Sequence, residues 1–222
     1  MKHRSPLRFI LEGLEGAGAL LLVLPTWPLS RLWLKNWGST AVEREREWPG
    51  DALVARRQNT FTRAITVRAP PSVLWSWAVQ FGLDRAGFYS YELLERVVGI
   101  PVKNVEEIVP EFQSLAVGNE IRLHPKARGI PVALIEKDKH ICFGTRPGEV
   151  LAADADDPTR SFSIYIESVP NGPSRLLLRG CVEPLRQPSL SKRIGLAFEE
   201  PIDFLMEQRM LRTMKRLAES TT

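Results

Sequence analysis

The run Ala69-Pro70-Pro71-Ser72-Val73-Leu74-Trp75-Ser76-Trp77-Ala78-Val79-Gln80-Phe81-Gly82, continued by Arg85-Ala86-Gly87-Phe88-Tyr89-Ser90-Tyr91, constrains the fold more than any other stretch. It is too aromatic for a solvated helix, and it carries too few titratable groups for an ordinary catalytic centre. Pro71 and Ser72 open a short helix there. Trp75 and Trp77 project to different sides of it, so at least one belongs to the core. The pattern predicts a wall around an apolar cavity with a few fixed polar contacts. That points first to a protein that holds a small hydrophobic molecule, and second to an enzyme.

The bulk composition agrees with one folded domain plus an extension. The chain has 222 residues, of which 44% are hydrophobic and 25% charged. Lysine and arginine exceed aspartate and glutamate by only four, and they form no stripe, so no nucleic-acid partner is expected. Cys142 and Cys181 lack a CxxC spacing and are expected as buried reduced thiols. His3, His124 and His140 are far apart, so no metal site is expected. No GxSxG, P-loop, GxGxxG or HExxH occurs, and no cofactor is implied. The acidic run Asp154-Ala155-Asp156-Asp157-Pro158 lacks the glycine of a calcium loop and reads as a turn.

Residues 1–35 form an apolar N-terminal segment. Its uncharged core from Gly16 to Ser30 is short of the ~20 residues needed to span a bilayer. A tilted span from Phe9 to Trp33 results if Glu12 and Glu15 lie near the headgroups, with Trp27 and Trp33 as anchors. No small-x-small cleavage site follows it. Membrane contact through residues 9–33 is therefore expected, the alternative being a helix docked on the domain of a cytoplasmic protein. Residues 36–59 read as a connector. The run Glu43-Arg44-Glu45-Arg46-Glu47 is expected to be solvated and locally paired, and Trp48-Pro49-Gly50-Asp51 is a turn.

From Thr60 the pattern becomes α+β. Phe61, Ile65 and Val67 share one side of a strand that carries Arg63 at the same parity. A helix over 91–98 would turn Leu93, Leu94, Val97 and Val98 inward. Strands are predicted over 120–123, 131–135, 140–144 and 149–152. Two more, 162–166 and 175–179, flank the hairpin signal Pro170-Asn171-Gly172. The last helix starts near Pro201, where Glu199, Glu200 and Asp203 favour its N-terminal dipole. Its apolar face carries Ile202, Leu205, Met206, Met210, Met214 and Leu217.

These elements, in this order, resemble the helix-grip fold of the START-like, or SRPBCC, superfamily of polyketide cyclases and lipid-transfer proteins. The local pieces Trp37-Gly38-Ser39-Thr40, Thr62-Arg63-Ala64-Ile65-Thr66-Val67, Ile108-Val109-Pro110-Glu111-Phe112-Gln113 and Phe204-Leu205-Met206-Glu207-Gln208-Arg209-Met210-Leu211 are similar to one bacterial branch of it. The resemblance implies a curved antiparallel sheet around the C-terminal helix over residues 60–222. The space between them would hold an apolar ligand, with Met206 and Met210 as adaptable lining.

The polar candidates around that space each have a plainer alternative. Arg63 either meets an anionic head group or pairs structurally with an acid such as Glu111. Arg85, Tyr89 and Tyr91, beyond Gly82, either orient a carbonyl or phenolate or simply pack. Gln80 either bonds the ligand or caps a carbonyl. Trp77 is the candidate aromatic wall and His124 the only histidine expected near the pocket. Binding or transport of a lipid- or polyketide-like molecule is the leading expectation. The second is a cyclase or dehydratase in which tyrosine, arginine or histidine moves a proton.

Overall fold

The computed structural model of the protein describes residues 6–57, 60–144, 159–169, 172–183 and 189–221. The helices are α1 (Pro6–Lys35), α2 (Ala41–Glu45), α3 (Pro71–Ala78), α4 (Glu92–Val97) and α5 (Leu190–Thr221). The strands are β1 (Phe61–Val67), β2 (Glu120–Ile121), β3 (Ile130–Glu136), β4 (His140–Gly144), β5 (Arg160–Glu167) and β6 (Ser174–Val182). They form one antiparallel sheet in the order β1-β6-β5-β4-β3-β2. The curved sheet holds α5 on its inner face, which makes this an α+β helix-grip architecture with an added N-terminal helix. The β5–β6 ladder runs from Arg160↔Val182 to Glu167↔Arg175, as the predicted hairpin requires. Its turn residues Pro170 and Asn171, the predicted 149–152 strand and the 154–158 turn lie outside the described residues.

The period of two along each strand separates two cores. Val67, Ile141, Ile164, Leu176 and Leu178 face inward and pack with Leu74 and Trp77 of α3 and with Met214 and Leu217 of α5. On the outer side Ala64, Ala133, Cys142 and Leu177 meet Trp48 and Leu53 from the segment before β1. Arg44, Glu45, Arg46 and Glu47 of the charge run are exposed, as the sequence predicts, whereas Glu43 is buried and the run's ion pairs to the sheet are long-range and not local. Glu43 reaches Arg175 of β6 at 2.8 Å, and Arg46 pairs with Glu167 of β5. Asp51 receives both Nε (2.7 Å) and Nη2 (3.0 Å) of Arg179. A sheet whose outer face carries Leu177 and Cys142 needs cover, and the connector supplies it. Cys142 and Cys181 are free and buried.

Three helical expectations change. α5 starts at Leu190 and passes through Pro201, so Asp203 lies inside the helix and not at its first turn. Helix α4 buries Glu92 and Glu95, while Val97 and Val98 are exposed. Its acids are fixed locally: Glu92 accepts from the Asn104 amide at 2.7 Å, and Glu95 from the Ser90 hydroxyl at 2.7 Å. Helix α1 lies along the domain instead of standing away from it. A Cβ on Gly13 or Gly16 would strike Leu93 or Leu94, so these glycines set how closely α1 approaches α4. Leu34 is sealed against Phe204 and Leu205 of α5. Glu12 and Glu15 turn inward onto Arg209 at 2.9 and 3.3 Å.

The Arg179–Asp51 pair anchors the outer core, and its removal should be measurable. Burial pushes the Asp51 carboxyl up, but the Arg179 guanidinium outweighs this and holds it below its ordinary value. A depressed carboxylate stabilises the fold above its unfolded pKa, and this is lost as pH falls below about 4. Asp51→Asn should cost about 3 kcal/mol in urea unfolding at pH 7, and the difference from the parent protein should shrink on acidification.

Candidate functional site

Between the inner face of the sheet, α4 and the middle of α5 lies a cavity of about 510 Å³. That is within the range of about 300–1,000 Å³ that takes a small organic ligand. Its back wall is aromatic. The Phe81 ring centroid lies 5.4 Å from Phe88, 6.1 Å from Phe143 and 5.9 Å from Phe162, and the last two stack at 17°. Gly82 and Gly87, both at positive φ, close the loop that brings Phe81 and Phe88 onto that wall. Met206 and Met210 line the opposite side, Leu20 of α1 contributes from above, and Val97, Val98 and Ile100 form the α4 side.

The apolar face of α5 is thus divided along its length. Ile202, Met206 and Met210 border the cavity, whereas Met214 and Leu217 are closed core. The same helix presents Glu199, Asp203 and Glu207 at intervals of four, one above the other. Glu199 meets Arg160 of β5 at 3.1 Å, and Glu207 is gripped by Arg63 of β1. Asp203, between them, borders the cavity, and no hydrogen bond or ion pair holds it among the described residues. Asp203 is exposed, and it lines the cavity. Burial first, and then the Glu207 charge, raise its carboxyl to about 7. Glu95, across the cavity, is also pushed up by burial, and its bond from Ser90 opposes this. Burial raises Glu207 as well, while Arg63 pulls it down.

Of the candidates from the sequence, Met206 and Met210 line this cavity and the others do not. Arg63, 1% exposed, donates to the Leu34 carbonyl at 2.9 Å and to Glu207. The structural pairing therefore holds, but the acid is Glu207, and Glu111 is exposed on a short 3-10 turn. Gln80 spends its amide within the protein: Nε2 donates to Tyr89 Oη (2.9 Å) and the Glu107 carbonyl, and Oε1 accepts from Val109 and Gln113. Tyr89 is fully buried at φ 58°, its hydroxyl donating to the Trp77 carbonyl at 3.1 Å, and Trp77 packs edge-on against its ring. The Asn104 side-chain oxygen accepts both the Phe88 and Tyr89 amides, which fixes that strained turn.

Arg85 donates to the Val79 and Phe112 carbonyls and covers the Phe112 ring. Tyr91 donates to Glu15 of α1 at 3.1 Å beneath Arg209, and burial followed by the Glu15 charge pushes its phenol up to about 12. His124 follows β2 and accepts from the Lys126 amide at 3.1 Å. The stretch around Gln80 and Tyr89 is therefore a scaffold whose phenylalanines, not its polar groups, reach the cavity. Asp203, Glu207 and Glu95 were not among the expected site residues. The four-residue spacing on α5 was the available signal, hidden by reading Asp203 as a helix-start acid.

A wider groove of about 830 Å³ lies elsewhere, bordered by Arg46, Glu136, Lys137, Lys139 and His140. Its charged rim suits solvent. Among the described residues no cluster of histidine, cysteine and acidic side chains has a metal-holding arrangement.

No family model matches the chain, and no curated protein matches it. Several solved structures are similar in part. A protein from Mesorhizobium loti is 15% identical over 74% of this chain and 99% of its own, with a TM-score of 0.39. Ara h 8.0201 is 14% identical over 73% and 98%, with a TM-score of 0.36. A Mycobacterium smegmatis protein is 14% identical over 79% and 97%, with a TM-score of 0.37. At these scores the likeness carries no argument, and the helix-grip architecture rests on the strand order and the helix it holds.

The scaffold role of Tyr89 is testable. Tyr89→Phe should lower stability by about 1–2 kcal/mol in urea unfolding, because the bonds to Gln80 and Trp77 are lost in a dry site. Affinity for a hydrophobic fluorophore should stay unchanged.

Proposed function

We propose that this protein binds a hydrophobic small molecule, lipid- or polyketide-like, in the cavity between the sheet, α4 and α5. The carrying observation is a space of about 510 Å³ bounded by phenylalanine and methionine. Its volume suits a ligand of some tens of atoms, and methionines repack at low cost around different shapes. A START-like, SRPBCC-type binding module is the family reading that fits this arrangement. The cyclase reading would have relied on Tyr89, Arg85 or His124, and none of these borders the cavity.

We further place this module at a membrane surface, and the observation is the outer face of α1. The helix is about 45 Å long at 1.5 Å per residue, enough by length and composition to cross a bilayer. Leu7, Ile10, Leu11, Leu14, Leu21, Leu22, Leu29, Leu32 and Trp33 are all exposed and fall within an arc of about 140° at 100° per residue. Leu29 is 95% exposed. Glu12 is buried on the protein side, and Glu15, half-exposed at the edge of the stripe, is held by Arg209. An inward charged side and an outward leucine stripe suit a helix that lies in the bilayer interface. Val97 of α4 and Val98 just after it are exposed and border the cavity, as does Leu20 on the inner side of α1.

Two measurements check this. Native mass spectrometry and solvent extraction of the purified full chain should reveal a bound apolar compound. Met206→Trp, which fills the cavity, should weaken binding of the neutral fluorophore N-phenyl-1-naphthylamine about tenfold or more while the protein stays folded. Leu21→Glu with Leu22→Glu should abolish co-sedimentation with phosphatidylcholine vesicles and leave fluorophore binding intact. A folded protein that binds no fluorophore would overturn the cavity reading, and vesicle binding by the double variant would overturn the membrane placement.

A further inference from the structure

The three carboxylates stacked on α5 are not equivalent, and the difference has a chemical meaning. Glu199 at the outer end is matched by Arg160, and Glu207 at the inner end by Arg63. Asp203 stands between the two ion pairs without a guanidinium of its own, and it borders an otherwise phenylalanine- and methionine-lined space. Two arginines from different strands thus neutralise the flanking acids and stop short of the central one. The cavity lining also holds another acid, Glu95 of α4, held by Ser90. Among the described residues Arg160 is the arginine that borders the cavity, and it is engaged by Glu199.

We propose that the cavity takes an amphiphile with a protonated amine head, seated on Asp203, its apolar chain against the phenylalanine wall. This rests on the cavity being a ligand site, as argued above. An anionic head, such as a fatty-acid carboxylate, would sit beside two unneutralised acids in a low-dielectric space and would be rejected. An ammonium there forms a charge-assisted hydrogen bond and supplies the counter-charge that the fold omits. The groups that face Asp203 are Glu199 and Glu207 on its own helix, Arg63 from β1 and Arg160 from β5. Glu95 of α4 looks across the same cavity, and α1 contributes Leu20.

The omission has a cost for the empty protein. A carboxylate whose folded pKa is raised stabilises least at high pH, because its charge becomes unfavourable as pH climbs through about 7. Asp203→Asn removes that charge, so it should fold at least as well as the parent at pH 8. A residue kept at an unfavourable position is better placed for a ligand than for the fold.

The test uses the full chain, N-phenyl-1-naphthylamine as reporter, and three ten-carbon competitors: decylamine, decanol and decanoate. At pH 8 decylamine should displace the reporter at about tenfold lower concentration than decanol, with decanoate weaker still. Alkyl amines, like lysine, stay protonated to about pH 10, so any change between pH 6 and 8 reports the protein's acids. The preference for decylamine should therefore shrink at pH 6, and it should disappear in Asp203→Asn while reporter binding persists. Reporter binding with decanoate equal to or better than decylamine would overturn the amine assignment and leave the cavity reading standing. So would an Asp203→Asn variant that keeps the preference. No reporter binding by a folded protein would overturn both.

Discussion

One guanidinium holds the inner architecture together. Arg63 of β1 is 1% exposed, and a charge so placed must be matched or it costs several kcal/mol. It is matched by Glu207 of α5, and a second donor of the same group binds the Leu34 carbonyl at the end of α1. Sheet, gripped helix and N-terminal helix therefore share one buried ion. The rings of Phe61 and Phe204 lie 4.3 and 5.3 Å from its carbon and exclude water from it. Phe61 in turn needs Gly180 opposite it on β6, since a Cβ there would fall 2.2 Å from the ring. The same glycine borders the cavity, so the packing that shields Arg63 also helps to keep the space open.

The sheet's outer face follows the same rule with different partners. Arg175 and Arg179 point away from the core that Leu176 and Leu178 fill, and the segment before β1 brings Glu43 and Asp51 to meet them. Trp48 then packs on Tyr165 with ring centroids 4.3 Å apart, and the Tyr165 hydroxyl accepts from the Gly50 amide at 2.9 Å. Within the run that reads as solubilising, Glu43 is matched to Arg175 of β6 and Arg46 to Glu167 of β5, while Asp51 further on meets Arg179.

This explains what was legible in the sequence and what was not. β1, β4 and the β5–β6 hairpin were readable because alternation and turn residues are local signals, and α5 because its apolar spacing persists over many turns. The outer core was not readable, because Glu43 and Arg175 are 132 positions apart and nothing local distinguishes a paired acid from a solvated one. On helix α4, Leu93 and Leu94 pack inward as the sequence predicts, whereas Val97 and Val98 are exposed and two acids are buried. Ser90 and Asn104 fix those acids, Glu95 and Glu92, in place. For the site, residue types were a poor guide. Gln80, Arg85 and Tyr89 have the chemistry of ligand-binding groups, and backbone carbonyls and one another consume it. Asp203 and Glu207 were passed over because Pro201 resembled a helix start, and because the arginine that defines Glu207 lies 144 positions away.

Helix α1 joins these themes, since its two sides obey opposite rules. Its inner side places glycines against Leu93 and Leu94 and acids against Arg209, which is how a helix docks on a polar protein surface. Its outer side keeps large apolar groups that no described residue covers. Burying nine such side chains in water-free surroundings would be worth on the order of 10 kcal/mol at about 1.5 kcal/mol or more each, before ordering and immersion costs. The charges on the inner side are already neutralised by the domain, so contact with a bilayer need not desolvate an unpaired acid. A ligand entering between Val97 and Leu20 would pass from one apolar surface to another. Inside the cavity it would meet Glu95, held by Ser90, and Asp203, which no ion pair holds and beside which there is room for a head group.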